Sequence, residues 1–451
     1  MTPRRVAVIG LGVSGRAVAG RLIAAGDLVM LLDDHPTRET EAAAAALSLS
    51  LTPMPTGSGV GQMLDGIDLV VPSPGVPVSH PVLDAARRAG IPVWAEIELA
   101  GRLGSGPESP LLIAITGTNG KTTVTTLVTA ILNRSGRKAV AAGNIGVPLI
   151  EAVGSGAEVV VGEVSSFQLE MTDEFQPRVS CWLNLAADHL DWHPSPEHYA
   201  AAKAKIWANQ GPGDTAVFNT DDPAVRRAAV AIPAGVERVD FSTRTSASYS
   251  VRAGCLIGPD GTDLMTVAQL PRALPHDIAN SLAAAAVAIA AGATTEACRL
   301  ALASTGPLPH RVGLVAESGG ISWYDDSKAT TPASVLAAVQ GFSSVVLIAG
   351  GRNKGLDLEA LSAAVPPVRA VVAIGEAAGE VAHAFKGLVP VTTAATMSAA
   401  VEKAMAAARP GDAVLLSPGC ASFDWYPSYA ARGDHFAEII RSMLEEGDGQ
   451  C

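Results

Sequence analysis

The chain has 451 residues, 48% of them hydrophobic, 17% charged and 4% aromatic, and a formal net charge of −12. That length suggests about three domains, and the apolar content is enough for several cores. The acidic balance argues against a nucleic-acid partner. Five cysteines, at 181, 255, 298, 420 and 451 with no CxxC pair, argue against zinc and for reduced thiols in a cytoplasmic protein.

Residues 5–9 read as a strand, 14–25 as a helix, and 28–32 as a second strand ending at Asp33. The opening Arg4-Arg5, an apolar run and Ala17-Val18-Ala19 superficially resemble a signal peptide. Gly10, Gly12, Gly15 and Arg16 interrupt the apolar stretch, so strand, turn and helix are predicted instead. Gly10-Leu11-Gly12-Val13-Ser14-Gly15 is a GxGxxG turn after a strand. Such a turn sets a pyrophosphate on a helix N-terminus and an acid, here Asp33, near a ribose or base. Alone it leaves three readings open: a dinucleotide cofactor, another diphosphate, or helix–strand packing. A strand at 69–71, the turn Ser73-Pro74-Gly75, a helix near 82–89 and a short strand at 92–94 follow. Residues 104–110 are the clearest linker by composition.

The apolar run 111–115 reads as a buried strand, and 124–132 as a helix. Between them stands Gly117-Thr118-Asn119-Gly120-Lys121-Thr122-Thr123. Strand, glycine turn and helix together place backbone N–H groups around a phosphate chain. Lys121 supplies a point charge for the β and γ phosphates, and the Thr122 hydroxyl is placed to ligate Mg²⁺. A nucleoside triphosphate and magnesium are therefore expected. Strand 159–162 ends at Glu163, and strand 179–183 leads to Asp188 and His189. Glu163, at the carboxyl edge of a parallel sheet, either holds the Mg²⁺ or faces a helix N-terminus. His189 is either structural or, beside a metal, a ligand or substrate contact. Lys203, on a predicted helix 196–209, reads as a solvated surface lysine from the residues alone.

A strand at 215–218, short β segments over 240–270 and an Ala-rich helix 278–291 complete this part. No apolar helix candidate is long enough to span a bilayer. After Gly306-Pro307-Leu308-Pro309 come strands at 321–324, 344–348, 370–374 and 413–416, and a helix at 332–339. Helices fill the gaps, so a third α/β unit with a mostly parallel sheet is predicted.

The general P-loop wants a glycine where this chain has Ile115. The tighter form, Thr-Gly-Thr-Asn-Gly-Lys-Thr, resembles the loop of the Mur ligase and folylpolyglutamate synthetase superfamily. Gly143-Asn144-Ile145-Gly146, residues 163–170 (EVSSFQLE), Asp188-His189 and Tyr199-Ala-Ala-Ala-Lys203 also look like the Mur ligases. So do Leu308-Pro309-His310-Arg311, residues 326–330 (DSKAT), 350–355 (GGRNKG) and 417–424 (SPGCASFD). The resemblance covers essentially the whole chain in order. These last motifs are closest to the branch that adds glutamate to UDP-N-acetylmuramoyl-L-alanine.

The resemblance implies an α/β protein of three domains. They are a Rossmann-like UDP-substrate domain (1–103), a central P-loop ATPase-like domain with a parallel or mixed sheet (104–307), and a Rossmann-like glutamate domain (308–451). It implies an ATP-dependent amide ligase of peptidoglycan precursor synthesis, acting through an acyl phosphate and expected to be a monomer. Val13, Ser14, Asp33, Asp34, Ser73 and Gly75 would hold UDP rather than NAD, and Asn144 the muramoyl group. Gly117 to Thr123, Asn280, Arg311, Asp326 and Lys328 would serve ATP, with Asn280 at adenine, Arg311 at the phosphates and Asp326 at the ribose. Thr122 and Glu163 would hold one Mg²⁺. Lys203, carbamylated by CO₂, would hold a second with His189. Thr330, Lys354, Ser422, Phe423 and Tyr429 would join His189 in seating the glutamate.

The chain departs from the family pattern at His276-Asp277, where the family has His-Asn, at Gly313 for Glu, and at Thr331 for Asn. Asp277 can accept from the adenine amino group but cannot donate to a ring nitrogen. Two other classes stay open at this stage. They are a nucleotide-dependent oxidoreductase using the N-terminal turn, and a P-loop switch or binding protein.

Overall fold

A computed structural model describes residues 3–54, 59–106, 109–189 and 192–448. Part of the linker 104–110, Leu190-Asp191 of the Asp-His turn, and Cys451 therefore lie outside the described residues. The chain forms two compact units. The first comprises Met1–Leu185, Glu197–Thr266 and Asn280–Ala303; the second comprises Ala186–Pro196, Val267–Ala279 and Ser304–Cys451.

In the first unit, β1 (Arg5–Ile9), β2 (Leu28–Asp33), β3 (Leu51–Pro53) and β4 (Leu69–Pro72) form a parallel sheet in the order β3-β2-β1-β4. Its second sheet uses β5 (Leu111–Thr116), β6 (Ala139–Gly143), β7 (Val159–Glu163), β8 (Val179–Trp182), β9 (Thr215–Asn219) and β10 (Glu237–Phe241). These run parallel in the order β10-β9-β8-β5-β7-β6. Its central strand, β5, reads Leu-Leu-Ile-Ala-Ile-Thr and is buried from Leu112 onward. A strand covered on both faces needs such a continuous apolar run. Three short strands, β11 (Ser250–Arg252), β12 (Cys255–Ile257) and β13 (Asp263–Thr266), make a small antiparallel sheet.

The second unit is built on β14 (Gly313–Ser318), β15 (Ile321–Asp325), β16 (Val345–Gly350), β17 (Val368–Ile374), β18 (Val391–Ala394) and β19 (Ala413–Leu416). The order is β14-β15-β19-β16-β17-β18, and only the β14–β15 pair is antiparallel. Residues alternate between two cores. Val345, Leu347 and Ala349 face Leu361 and Phe385, while Val346 and Ile348 face Trp323, Met397 and Phe436.

The predicted α/β class is observed, and the strands at 5–9 and 413–416 and the helix at 332–339 fall where expected. Several local expectations change, and the short strands β3, β6 and β18 were not expected. Residues 92–94 contribute one bridge, Val70 with Val93, and no strand. The helix predicted to reach residue 209 ends at Ala204 and tightens into a 3₁₀ turn, Lys205–Trp207. Edge strand β14 was not expected, because Gly313 to Ser318 is only partly buried and lacks a clean apolar run.

Candidate active site

The phosphate-binding turn leaves the carboxyl end of β5 and opens the helix Lys121–Arg134. Gly117 has φ 156° and Gly120 has φ 84°. A Cβ on Gly120 would lie 2.6 Å from Asn280 Oδ1, so glycine is required there by backbone and by space. Gly120 is the helix N-cap and supplies no side chain to the first N–H groups. Lys121 Nζ donates to the carbonyls of Gly117 and Thr118, at 2.8 and 3.1 Å, which holds the ammonium over the turn. Asn280, expected at adenine, thus packs against the second glycine of this turn.

The turn is propped from β8. The Asn119 N–H donates to Asn184 Oδ1 at 2.8 Å, and Asn184 Nδ2 donates back to the Asn119 carbonyl at 3.0 Å. Thr118 N–H donates to the Asn184 carbonyl, and Thr118 Oγ1 lies 3.1 Å from Tyr199 Oη. Asn184 was not among the expected site residues. Its signal was available: it follows an apolar strand at the carboxyl edge of the sheet, the argument that selects Glu163.

Glu163 ends β7 opposite Ile115 of β5 and is 2% exposed. Asn144 Nδ2 donates to its Oε1 at 2.7 Å. Its other oxygen, Oε2, is buried and has no hydrogen-bond partner among the described residues. A buried carboxylate oxygen left over beside a phosphate cradle suits a hard divalent cation. Lys203 overturns the surface reading: it is 1% exposed. Its Nζ donates to the Gly117 carbonyl at 3.1 Å, lies 3.5 Å from Thr116 Oγ1 and sits over the Tyr199 ring. Short alanines at 200–202 leave this helix few apolar anchors, which is why its pattern hides the burial. The structure thus brings the turn, Asn144, Glu163, Lys203 and Asn280 together.

The N-terminal turn is a second glycine cradle in this unit. Gly10 has φ 78°, and a Cβ on Gly15 would lie 2.0 Å from the Gly10 carbonyl oxygen, so the helix packs on the strand through bare backbone. Asp33 Oδ2 accepts the Leu11 N–H at 3.2 Å and Oδ1 the His35 N–H at 2.9 Å. Ser73 Oγ donates to the Gly10 carbonyl at 2.8 Å. Asp34 pairs with buried His80 at 3.1 Å. Val13 is 67% exposed at the mouth of the turn, and Ser14 is half-buried beside it. Gly75 lies in the turn after β4.

In the second unit, Asp326 follows β15 and is buried. Ser417 Oγ donates to its Oδ2 at 2.7 Å. Burial pushes its carboxyl up to about 7, against the Ser417 bond and the Arg311 charge. Lys328 Nζ lies 3.8 Å from the Tyr429 ring centre. Thr330 is half-buried, Ser422 is buried, and Lys354 and Phe423 are exposed, with Lys354 Nζ 5.9 Å from the Phe423 ring centre. His189 has φ 55° and pairs with Asp188, Nε2 to Oδ2 at 3.3 Å. Thr331, the departure from the family's Asn, caps the helix Pro332–Val339 by accepting the Ser334 N–H.

Arg432 was missed. It is buried, with its pKa lowered to about 10 by desolvation. Its guanidinium donates to Ser327 Oγ and to the carbonyls of Ser327 and Cys420, tying the Asp326 loop to the Ser422 loop. Nothing in its helix-borne sequence context distinguishes it from a surface arginine.

A cleft of about 750 Å³ opens at the opposite, amino-terminal edge of the central sheet, lined by Arg102, Arg137 and Arg178. Those arginines pair with Glu98, Glu158 and Asp214. Volume and chemistry therefore part company, since ligands of open α/β sheets bind at the carboxyl ends of strands.

Comparison with known proteins follows this division. Residues 4–95 match the MurD-like N-terminal domain of Mur ligases, 115–288 the Mur ligase middle domain, and 310–420 the Mur ligase glutamate ligase domain. The UDP-N-acetylmuramoylalanine–D-glutamate ligase of Shouchella clausii is 41% identical over 450 residues, covering 98% of this chain and 98% of that protein. The enzyme of the same name from Frankia casuarinae is 42% identical, covering 97% of this chain and 94% of its own. Among solved structures, a pseudomurein peptide ligase type C from Methanothermus fervidus shares the fold with a TM-score of 0.61 at 16% identity, covering 98% of this chain and 100% of that one. MurF from Acinetobacter baumannii also gives 0.61, at 17% identity, covering 98% and 93%.

Proposed function

The chain belongs to the Mur ligase family, and from that premise we propose that it joins D-glutamate to UDP-N-acetylmuramoyl-L-alanine in the cytoplasmic synthesis of peptidoglycan precursors. The observation that carries the chemistry is the carboxyl edge of the central sheet. There a phosphate cradle, a buried carboxylate with one oxygen unpartnered among the described residues and a buried lysine meet. The relatives that match along nearly the whole chain supply the substrates.

A carboxylate resists attack by an amine because its leaving group would be oxide. Phosphorylation by ATP turns that oxide into phosphate. The turn from Gly117 to Thr123 holds the triphosphate through backbone N–H groups, and Lys121 places a positive charge at the transferring phosphoryl. Thr122 and Glu163 would hold a magnesium ion, which draws charge from the β and γ oxygens when bound. Arg311 adds a second positive charge at the phosphates. Once the acyl phosphate has formed, the amine of glutamate attacks its carbonyl carbon, the C–N bond forms, and phosphate leaves with its electron pair.

Lys203 has a further proposed role. Its uncharged amine adds to CO₂, forming an N–C bond and releasing a proton, so that a cation becomes a carboxylate-like ligand for a second magnesium. The support is placement: Lys203 is buried beside the P-loop, with its Nζ on the Gly117 carbonyl.

The remaining assignments follow the domain order. Residues 1–103 take the UDP substrate through the N-terminal turn, with Asp34, Ser73 and Gly75 around it. Residues 104–307 take ATP, and Asn144 meets the muramoyl group. Residues 308–451 take glutamate, through Thr330, Lys354, Ser422, Phe423 and Tyr429, with Asp326 and Lys328 for the nucleotide. His189 serves as metal or glutamate contact. The protein acts as a monomer.

The test is an assay with ATP, UDP-N-acetylmuramoyl-L-alanine and each glutamate enantiomer, reading phosphate release and product mass. ADP, phosphate and an amide product are expected with the D enantiomer alone. ATP turnover indifferent to both the nucleotide sugar and the amino acid would sink the reading.

A further inference from the structure

The turn that carries Arg311 is built against its own backbone preferences. His310 has φ 59° and Val312 has φ 51°, both left-handed. For a β-branched residue such as Val312 that conformation is an outlier, and it persists only where the surroundings over-determine it.

The surroundings do so from two sides. On one side, His310 Nδ1 lies 2.6 Å from Asp325 Oδ2, and the His310 carbonyl accepts the Lys328 N–H at 3.1 Å. On the other, Arg272 Nη1 donates to the carbonyls of Arg311 and Val312, at 2.6 and 2.7 Å. The remaining edge of the same guanidinium is held by Asp277, with Nε to Oδ2 at 2.7 Å and Nη2 to Oδ1 at 2.8 Å. Asp277 Oδ2 also accepts the Leu274 N–H at 3.1 Å. Both side chains are largely buried, Arg272 at 18% exposure and Asp277 at 14%.

We propose that Arg272 and Asp277 are positioning residues for Arg311. Asp277 aims the guanidinium, and the guanidinium grips the two peptide carbonyls that decide where Arg311 points. The proposal rests on the reading of Arg311 as a phosphate contact. It also gives the departure at position 277 a physical sense. An aspartate there forks an arginine as an asparagine cannot, and both of its oxygens are turned to that arginine rather than to a base. Only a planar fork with donors on two edges can serve carboxylate and carbonyls at once, so lysine is no substitute.

The experiment uses the full chain and reads kcat, KM for ATP and for the nucleotide sugar, and melting temperature. Arg272→Lys and Asp277→Ala are each expected to lower kcat by about 10- to 100-fold, as for a misplaced transition-state charge, with KM for the nucleotide sugar within about twofold. Asp277→Asn, which keeps an acceptor and the shape, should retain more, at about a fivefold loss. The decisive readout is coupling. In an Arg311→Ala background each of these substitutions should change kcat by less than about twofold, because the group they position is gone. Equal fold-losses in both backgrounds would overturn the clamp alone, as would parental kcat in Arg272→Lys. Undiminished turnover by Arg311→Ala would overturn both the phosphate role and the clamp. Asp277→Asn carries the same comparison if Arg272→Lys does not fold.

Discussion

The two glycine turns of the first unit share one local plan and differ in what surrounds them. Each leaves a buried parallel strand and opens a helix that has no side-chain cap. Each places a glycine in the left-handed region, Gly10 and Gly120. Around the N-terminal turn the polar groups serve its own backbone. Asp33 takes the Leu11 N–H, Ser73 takes the Gly10 carbonyl, and Arg16 is spent on the Leu11 carbonyl and Glu39. Around the P-loop stand Lys121, the Glu163 oxygen that has no hydrogen-bond partner among the described residues, and buried Lys203. Backbone geometry suits both turns to phosphates. Among the described residues only the second has the concentrated charge that phosphoryl transfer needs, so under the proposed function one turn holds and the other reacts.

The sharpest way to break that contrast is to remove the charge. Lys121→Ala and Glu163→Gln are each expected to lower kcat by about 10³-fold, the scale of losing a preorganised electrostatic contact. Lys121 Nζ bonds the carbonyls of its own turn rather than entering the core, so its variant should melt within a few degrees of the parent. Normal phosphate release by either variant would erase the distinction between the turns. Lys203→Ala should cost about 10²-fold. Added formate or acetate should restore part of the rate by filling the gap with a carboxylate, and Lys203→Arg should not, because it keeps the positive charge. An ordinary helix lysine would leave both variants like the parent.

Much of this contrast is legible in the sequence. Strand, glycine turn and helix order the P-loop, and a carboxylate after a buried apolar strand marks Glu163. What could not be read are side chains whose meaning comes from distant partners. Lys203 is called solvated by its alanine-rich helix and meets Thr116, at the end of β5, and Gly117 of the turn, more than eighty positions earlier. Asp277 is suited to adenine by its chemistry, yet it is claimed by Arg272, which grips a turn some forty residues on. Edge strand β14 has no apolar signature because half of its side chains meet solvent. Period and composition report what a segment buries on average, not which neighbour reaches it.

A buried seam between the helices Glu96–Leu103 and Leu149–Ala152 offers a third test. Glu96 begins the helix Glu96–Leu103, and its Oε1 accepts the Ile150 N–H at 2.6 Å from the helix Leu149–Ala152. Burial pushes its carboxyl up to about 7 from an ordinary 4.5, and the Ile150 N–H pulls the other way. The folded chain therefore keeps a proton that the unfolded chain releases. Stability from this group is undiminished below about pH 4.5, falls as pH rises toward 7, and is level above that. The expected loss is about 3 kcal/mol. Glu96→Gln should flatten the dependence, so its melting temperature should exceed the parent's at pH 8 and match it near pH 5. Parallel melting curves across that range would show that the seam does not titrate.

The smallest expected effect tests the holding turn itself. Gly12 is the N-cap of the helix Val13–Ala24, with extended backbone at φ −71°. A Cβ built there meets nothing within 4 Å. Alanine is thus compatible with the fold, and its methyl group would occupy only the space in front of the helix N-terminus. Gly15 is the opposite case, since its Cβ would collide with the Gly10 carbonyl and damage the fold first. Gly12→Ala should leave the melting temperature unchanged and weaken UDP binding by about tenfold, the scale set by a methyl group intruding where backbone must approach a diphosphate. KM for the nucleotide sugar should rise by a similar factor while KM for ATP stays put, because the proposed function assigns ATP to the other turn. Calorimetric titration of the full chain with UDP and with NAD decides the matter. Tight NAD binding with no response to UDP would reassign this turn to a redox cofactor, and an equal rise in KM for ATP would show that the two turns do not divide the nucleotides between them.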